Sequence, residues 1–213
     1  MSIKLIFEGD SITDSSRNRL DKQANRSEVL GCGYPTLVAS HLLTQTNSLN
    51  LYNRAISGNK VADVLDRGPQ IMTELRADWL SLLIGINDIW HTLAVSQKPV
   101  PEDIADGIDQ YLCLLRKYSP NIRIVLLEPF AQLSKEVSAE WFTFLKPLQR
   151  YEKELADKHQ CIWVPTQEAL NQSADKLGAN HVLWDGVHPT PAGHMIIARQ
   201  WLSHTTALQQ LFN

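Results

Sequence analysis

The sequence predicts a doubly wound α/β fold: a three-layer α/β/α sandwich around a mostly parallel sheet of five strands. Three observations carry this expectation. Short apolar runs alternate with longer segments of helical period along the chain. Most of those runs are apolar on both faces, as in a sheet covered by helices on both sides. The length of 213 residues, with 44% hydrophobic and 20% charged residues, suits one domain spanning 1–213. A chain of this length buries about 70% of its unfolded surface and needs no disulfide or metal staple.

The elements follow in order. Leu5-Ile6-Phe7 reads as the first strand. Residues 11–33 are polar and without pattern, and they should lie over the carboxyl edge of the sheet, where ligands of open α/β sheets bind. Residues 49–52 form a second strand. Gly68-Pro69 is expected to interrupt the helix that follows. Residues 80–84 form the third and most apolar strand. Ile104, Ile108, Tyr111, Leu112 and Leu115 make one apolar helical stripe. Residues 122–127 form the fourth strand. Phe144, Leu145, Leu148, Tyr151 and Leu155 stripe the next helix, and residues 161–164 form the fifth strand. Pro191 suits the first turn of a last helix. Repeated strand–helix units imply right-handed crossovers.

Composition excludes several function classes. The formal net charge is −3, from 20 Lys and Arg against 23 Asp and Glu. No basic run stands out, which argues against a nucleic-acid partner. Cys32, Cys113 and Cys161 are odd in number and contain no C-x-x-C, so neither a disulfide framework nor a structural zinc site is expected. The apolar stretch at residues 3–7 is broken by Lys4 and ended by Glu8, too short for a signal-peptide core. No apolar run approaches the ~18 residues of a membrane span. These features predict a cytoplasmic location and no membrane partner.

Four blocks follow predicted strands or close the last loop, where chemistry is expected. Gly9-Asp10-Ser11-Ile12-Thr13 offers a tight turn and a serine at the start of the next element; a plain helix cap is its alternative. Ile56-Ser57-Gly58-Asn59 offers a glycine N–H to an anion, or simply a turn. Gly85-Ile86-Asn87-Asp88 offers a side-chain amide, or an Asn-Asp cap. Asp185-Gly186-Val187-His188-Pro189 places a carboxylate and an imidazole three residues apart, a base with its orienter or a surface pair. Together they supply a nucleophile, a base, an orienter and oxyanion donors, the parts of acyl transfer.

Gly9-Asp10-Ser11, Gly58, Gly85-x-Asn87-Asp88 and Asp185-x-x-His188 resemble the four blocks of the SGNH hydrolases, also called the GDSL esterase/lipase family. The resemblance spans residues 7 to about 202, nearly the whole chain. It implies a flavodoxin-like three-layer sandwich and a serine carboxylic ester hydrolase. Its Ser, Gly, Asn and His fall on Ser11, Gly58, Asn87 and His188, with Asp185 as the third triad member. The implied oxyanion hole is the Ser11 N–H, the Gly58 N–H and the Asn87 amide. Within the family the blocks resemble the small cytoplasmic acetylxylan-oligosaccharide esterases, although Ala55 stands where Gly is frequent and Glu128-Pro129 where Thr-Pro is common.

The expected substrate is a small-molecule ester, an acetylated xylo-oligosaccharide by this resemblance. No cofactor and no metal are expected. Trp90 and Trp184 adjoin the blocks and are candidates to wall a sugar ring or small acyl group, with core packing as the alternative. Glu128 ends the fourth strand and is expected to cap a loop rather than touch substrate. His181 and His194 flank His188, but their spacing matches no common zinc pattern. His194 is expected on the helix surface or filling a packing gap. No G-x-S-x-G, Walker A or G-x-G-x-x-G occurs. Rival readings are a lysophospholipase, thioesterase or short-chain lipase on the same triad, and a non-catalytic carbohydrate-binding protein. Homo-oligomerisation is frequent for enzymes of this size and stays open, since one chain shows no interface.

Overall fold

A computed structural model describes residues 2–210. The strands are β1 (Ile3–Gly9), β2 (Leu49–Asn53), β3 (Trp79–Leu83), β4 (Arg123–Leu127) and β5 (Ile162–Val164). The helices are α1 (Ser11–Asp14), α2 (Ser27–Leu30), α3 (Tyr34–Leu43), α4 (Val61–Leu75), α5 (Ile86–Ala94) and α6 (Pro101–Tyr118). They continue as α7 (Trp141–Lys158), α8 (Gln167–Leu177), α9 (Ala179–Val182), α10 (Pro191–His204) and α11 (Thr206–Gln209). The five strands pair in the order β2-β1-β3-β4-β5, every pair parallel. This is the expected flavodoxin-like α/β sandwich. The strand order reverses between β1 and β3, and that reversal opens the crevice in which such sheets bind ligands.

Helix α4 packs on α6 and α6 on α7, covering one face, while α10 packs on α3 and α8 over the other. The stripe read on α6 is fully used: Ile104, Ile108, Tyr111, Leu112 and Leu115 are all buried. Strand β3 is buried along its whole length, which explains why it reads as unbroken apolar sequence. Its one hydroxyl, Ser81, accepts from Trp201 Nε1 at 2.9 Å. That bond removes the cost of an unpaired polar group in the core and ties α10 to the middle of the sheet.

One expectation fails here. Gly68-Pro69 does not interrupt the helix, because α4 runs through both. Pro69 forgoes a single backbone bond, and packing outweighs it. Helix α6 comes so close that a Cβ on Gly68 would meet the Tyr111 ring at 2.7 Å. Pro191 does sit in the first turn of α10, with Thr190 as cap.

Candidate active site

The site begins at the end of β1. The Asp10 carboxylate accepts from Ile12 N at 3.0 Å, so Asp10 is the cap of α1 and Ser11 opens the helix. Ser11 is thereby released from capping, and its hydroxyl meets His188 Nε2 at 2.8 Å. His188 Nδ1 lies 2.6 Å from Asp185 Oδ2. The other carboxylate oxygen, Oδ1, accepts from Val187 N at 2.9 Å and from His188 N at 2.7 Å. With a carboxylate as its partner, Nδ1 carries the proton of the neutral ring. Nε2 is then free to accept from the serine. Burial alone would raise the Asp185 carboxyl; the His188 ring and the two backbone N–H groups outweigh it and hold the group below its usual value.

Local backbone chemistry shapes this turn. Gly186 has φ +90°, and a Cβ there would come within 2.4 Å of Gln132 O, so only glycine fits. Gln132 N donates to Gly186 O at 2.8 Å, and Ser134 Oγ donates to Asp185 O at 2.5 Å. Trp184 N donates to His188 O at 3.0 Å, closing the hairpin. The β4–α7 loop therefore grips the Asp–His turn from outside.

The second and third blocks converge from β2 and β3, which flank β1. Gly58, at φ +84°, has open space beside its Cα. Its N–H and that of Ser11 have no acceptor among the described residues. Asn87 is buried, and its Nδ2 donates to Asn59 O at 3.0 Å. An amide nitrogen has two N–H bonds, so one remains free.

The loop bearing Gly58 is fastened by residues that motif reading left without a role. Asp14 accepts from Ser57 N at 2.9 Å. Asp88 accepts from Val61 N at 3.1 Å. Ile56 N donates to Gly9 O at 3.2 Å. Arg67 reaches both the Asn59 side chain and the buried Glu8. Asp88 ends one of the quoted blocks and Asp14 directly follows another, so position alone could have flagged them. Arg67 lies mid-helix on α4 and carries no sequence signal.

Burial sets the electrostatics. It pushes Asp10 up to about 7 and Asp88 up to about 6. It also pushes His194 down to about 4. His194 is therefore neutral at pH 7. Its Nδ1 accepts from Tyr34 N at 3.2 Å and it fills space beside Gly33. The packing-gap expectation holds for it and the helix-surface one does not. His181 is exposed. Among the described residues His181, His188 and His194 form no group able to share an ion; the one such cluster, Asp109 with Cys113 and His159, lies elsewhere. Glu128 accepts from Thr166 N and Gln167 N, both at 2.9 Å, which is the expected loop-capping role.

The two tryptophans differ. Trp184 is 62% exposed, and its ring stacks on His188 with centroids 5.5 Å apart and planes 16° apart. Core packing is thus excluded for Trp184. Trp90 is half-buried, 5.7 Å from His188 and 5.5 Å from Trp141. It is both a wall of the cleft and part of the packing.

The GDSL-like lipase/acylhydrolase family model matches residues 7–196. The chain belongs to this family. An acetylxylan esterase from Geobacillus stearothermophilus is 34% identical to this GDSL-like hydrolase over 206 residues, covering 93% of this chain and 92% of that one. A GDSL-like lipase candidate from Parabacteroides merdae superimposes with a TM-score of 0.92 at 31% identity, covering 96% of each chain. A variant of the Geobacillus esterase superimposes with a TM-score of 0.84 at 30% identity, covering 95% and 94%. Solved catalytic mutants of that esterase carry changes at a serine, an aspartate and a histidine. This GDSL-like hydrolase is a carboxylic ester hydrolase. No helix among its described residues is long and apolar enough to cross a membrane.

Proposed function

We propose that this chain, acting as one hydrolase domain, removes acetyl groups from short acetylated oligosaccharides, xylo-oligosaccharides first among them, through an acyl-enzyme on Ser11. The observation that carries the reading is the unbroken relay Ser11–His188–Asp185, at 2.8 and 2.6 Å, with the exposed Trp184 ring stacked on its histidine. The serine, aspartate and histidine altered in the catalytic mutants of the Geobacillus esterase supply the same three residue types.

Ser11 Oγ attacks the ester carbonyl as its proton passes to His188 Nε2. Asp185 stabilises the imidazolium and fixes the ring. The carbonyl oxygen becomes an oxyanion that the Ser11 N–H, the Gly58 N–H and the free Asn87 N–H can receive. Collapse expels the alcohol, which takes the proton from His188. Water then attacks the acetyl-enzyme by the same route and releases acetate. Trp184 and Trp90 supply apolar faces beside the reacting group, suited to the C–H face of a sugar ring.

The test compares acetyl, butyryl and octanoyl p-nitrophenyl esters with acetylated xylo-oligosaccharides, with Ser11→Ala as control. The proposal expects Ser11-dependent turnover, acetyl preference and release of acetate from the sugar. Trp184→Ala should raise KM for the oligosaccharide while leaving kcat on p-nitrophenyl acetate nearly unchanged. Octanoyl or thioester preference would replace the substrate assignment by a lipase or thioesterase. Absence of Ser11-dependent turnover would remove the mechanism.

A further inference from the structure

A second cavity, of about 600 Å³, opens between α7, α8 and the β4–α7 loop. It lies along the carboxyl edge of the sheet, beyond the Asp–His turn, and contains none of the candidate catalytic residues. Its lining includes Gln132, Phe142, Lys146, Gln149, Asn171 and Asp175. We infer that this cavity is a non-catalytic binding site for a neutral saccharide.

Three observations define the ligand. The first is a rigid polar floor. Gln167 clamps the Ala131 backbone on both sides, accepting from its N at 3.1 Å and donating to its O at 2.9 Å. The same Gln167 donates to Asn171 Oδ1 at 3.0 Å and accepts from Gln149 Nε2 at 3.2 Å. These bonds orient two amides and leave Asn171 Nδ2 and Gln149 Oε1 without partners among the described residues. One is a donor and the other an acceptor, the pair that a hydroxyl-rich ligand can satisfy at once.

The second observation is Gln132. It is 6% exposed, and neither its amide nitrogen nor its oxygen has a partner among the described residues. An unpaired buried amide is costly. A turn of this side chain into the cavity, toward ligand hydroxyls, would satisfy both atoms. The third is the balance of the remaining lining. Phe142 offers a half-buried ring for an apolar sugar face. Lys146 faces a lining that also holds Asp175 and Glu168, so the cavity has no excess positive charge with which to hold a polyanion. The volume lies within the usual range of small-molecule sites.

The site requires no role for Ser11 and stands apart from the hydrolytic proposal. It does touch the same machinery. Gln132, in the cavity wall, donates its N–H to Gly186 O at 2.8 Å, so a saccharide there would lean on the backbone that carries the Asp–His turn.

The test is calorimetric titration of the full-length Ser11→Ala variant with unacetylated xylotriose, cellotriose and maltotriose. At least one should bind, and Asn171→Ala and Asp175→Asn should each weaken it about fivefold, the worth of one net hydrogen bond. Gln132→Leu should weaken binding and raise Tm together, because the unpaired amide serves the ligand and not the fold. In an otherwise unaltered chain, Asn171→Ala should leave kcat/KM on p-nitrophenyl acetate unchanged. The inference is overturned if none of the three saccharides binds. It is equally overturned if binding is lost on Trp184→Ala and untouched by the cavity variants, which would place the sugar in the catalytic cleft alone.

Discussion

Asn87 has one amide N–H occupied by Asn59 O at 3.0 Å and one free, so its proposed work lies in receiving charge that exists only in the transition state. Asn87→Ala should lower kcat by roughly 10²–10³ with little change in KM. Steady-state kinetics on p-nitrophenyl acetate decide this; a change confined to KM would make Asn87 a substrate-binding residue. A second residue acts on stability. Glu152 is fully buried on α7 with both oxygens unpaired among the described residues, and burial raises its carboxyl well above the usual 4.5. The unfolded chain ionises this group earlier than the folded chain does. Stability is therefore lost as pH rises above 4.5 toward the folded value, by up to about 1.4 kcal/mol per pH unit. Glu152→Gln should remove that slope. Urea midpoints at pH 5 and pH 8 measure it, and parallel slopes in the two proteins would show that Glu152 ionises in the native state.

Helix α4 illustrates how elements hold the site. Arg67 joins α4 to the end of β1 through Glu8 and to the loop that carries Gly58 through Asn59. Glu8 is fully buried, and burial raises its carboxyl against the pull of Arg67. Arg67→Met removes that pull and leaves the buried carboxylate with the Gly9 N–H but no counter-ion bonded to it, so it should cost about 3 kcal/mol near neutral pH. The sign follows from the acid: without Arg67 its folded pKa climbs further, and stability falls more steeply as pH rises. Chemical denaturation at pH 5 and pH 8 should show the larger loss at pH 8; equal losses would mean that Glu8 escapes its penalty by another contact. Elements of this kind were legible only in part. All five strands could be read to within two residues, four of them as apolar runs bounded by turn residues and β2 as a weaker stretch whose buried residues alternate. The α6 stripe was legible because its whole face is buried. The continuity of α4 through Gly68-Pro69 was not, since it depends on contact with Tyr111, a residue more than forty positions away. The Arg67 strap was hidden for the same reason.

At the scale of the whole molecule, the four blocks were legible because each is local, whereas their convergence depends on the order of strands. Placing β1 between β2 and β3 brings Ser11, Gly58 and Asn87 to one crevice, and α10 docking on α3 fixes the loop that carries His188. What motif reading could not supply was orientation: that Trp184 is exposed and stacked on the imidazole, and that His194 points inward. The cysteines belong to this scale too. None bonds to a candidate catalytic side chain, Cys32 and Cys113 are exposed, and burial pushes the Cys161 thiol up to about 11. A maleimide should therefore label two sites quickly and Cys161 slowly, with esterase activity retained. Mass spectrometry beside an activity assay checks both outcomes, and inactivation in step with labelling would place a thiol at the reacting centre.

The bond between Ser11 and His188 spans 177 positions of the chain. Synthesis delivers Ser11 just after the first strand and His188 only 177 positions later, and α10 must still emerge to seat the loop that carries it. A nascent chain that stops short of this loop thus holds Ser11 without the imidazole proposed to take its proton. On the proposed mechanism, competence to cleave esters arrives in one step, once α10 has docked. On that mechanism an activity assay counts fully docked molecules, while fragments bearing only the Gly-Asp-Ser block stay silent.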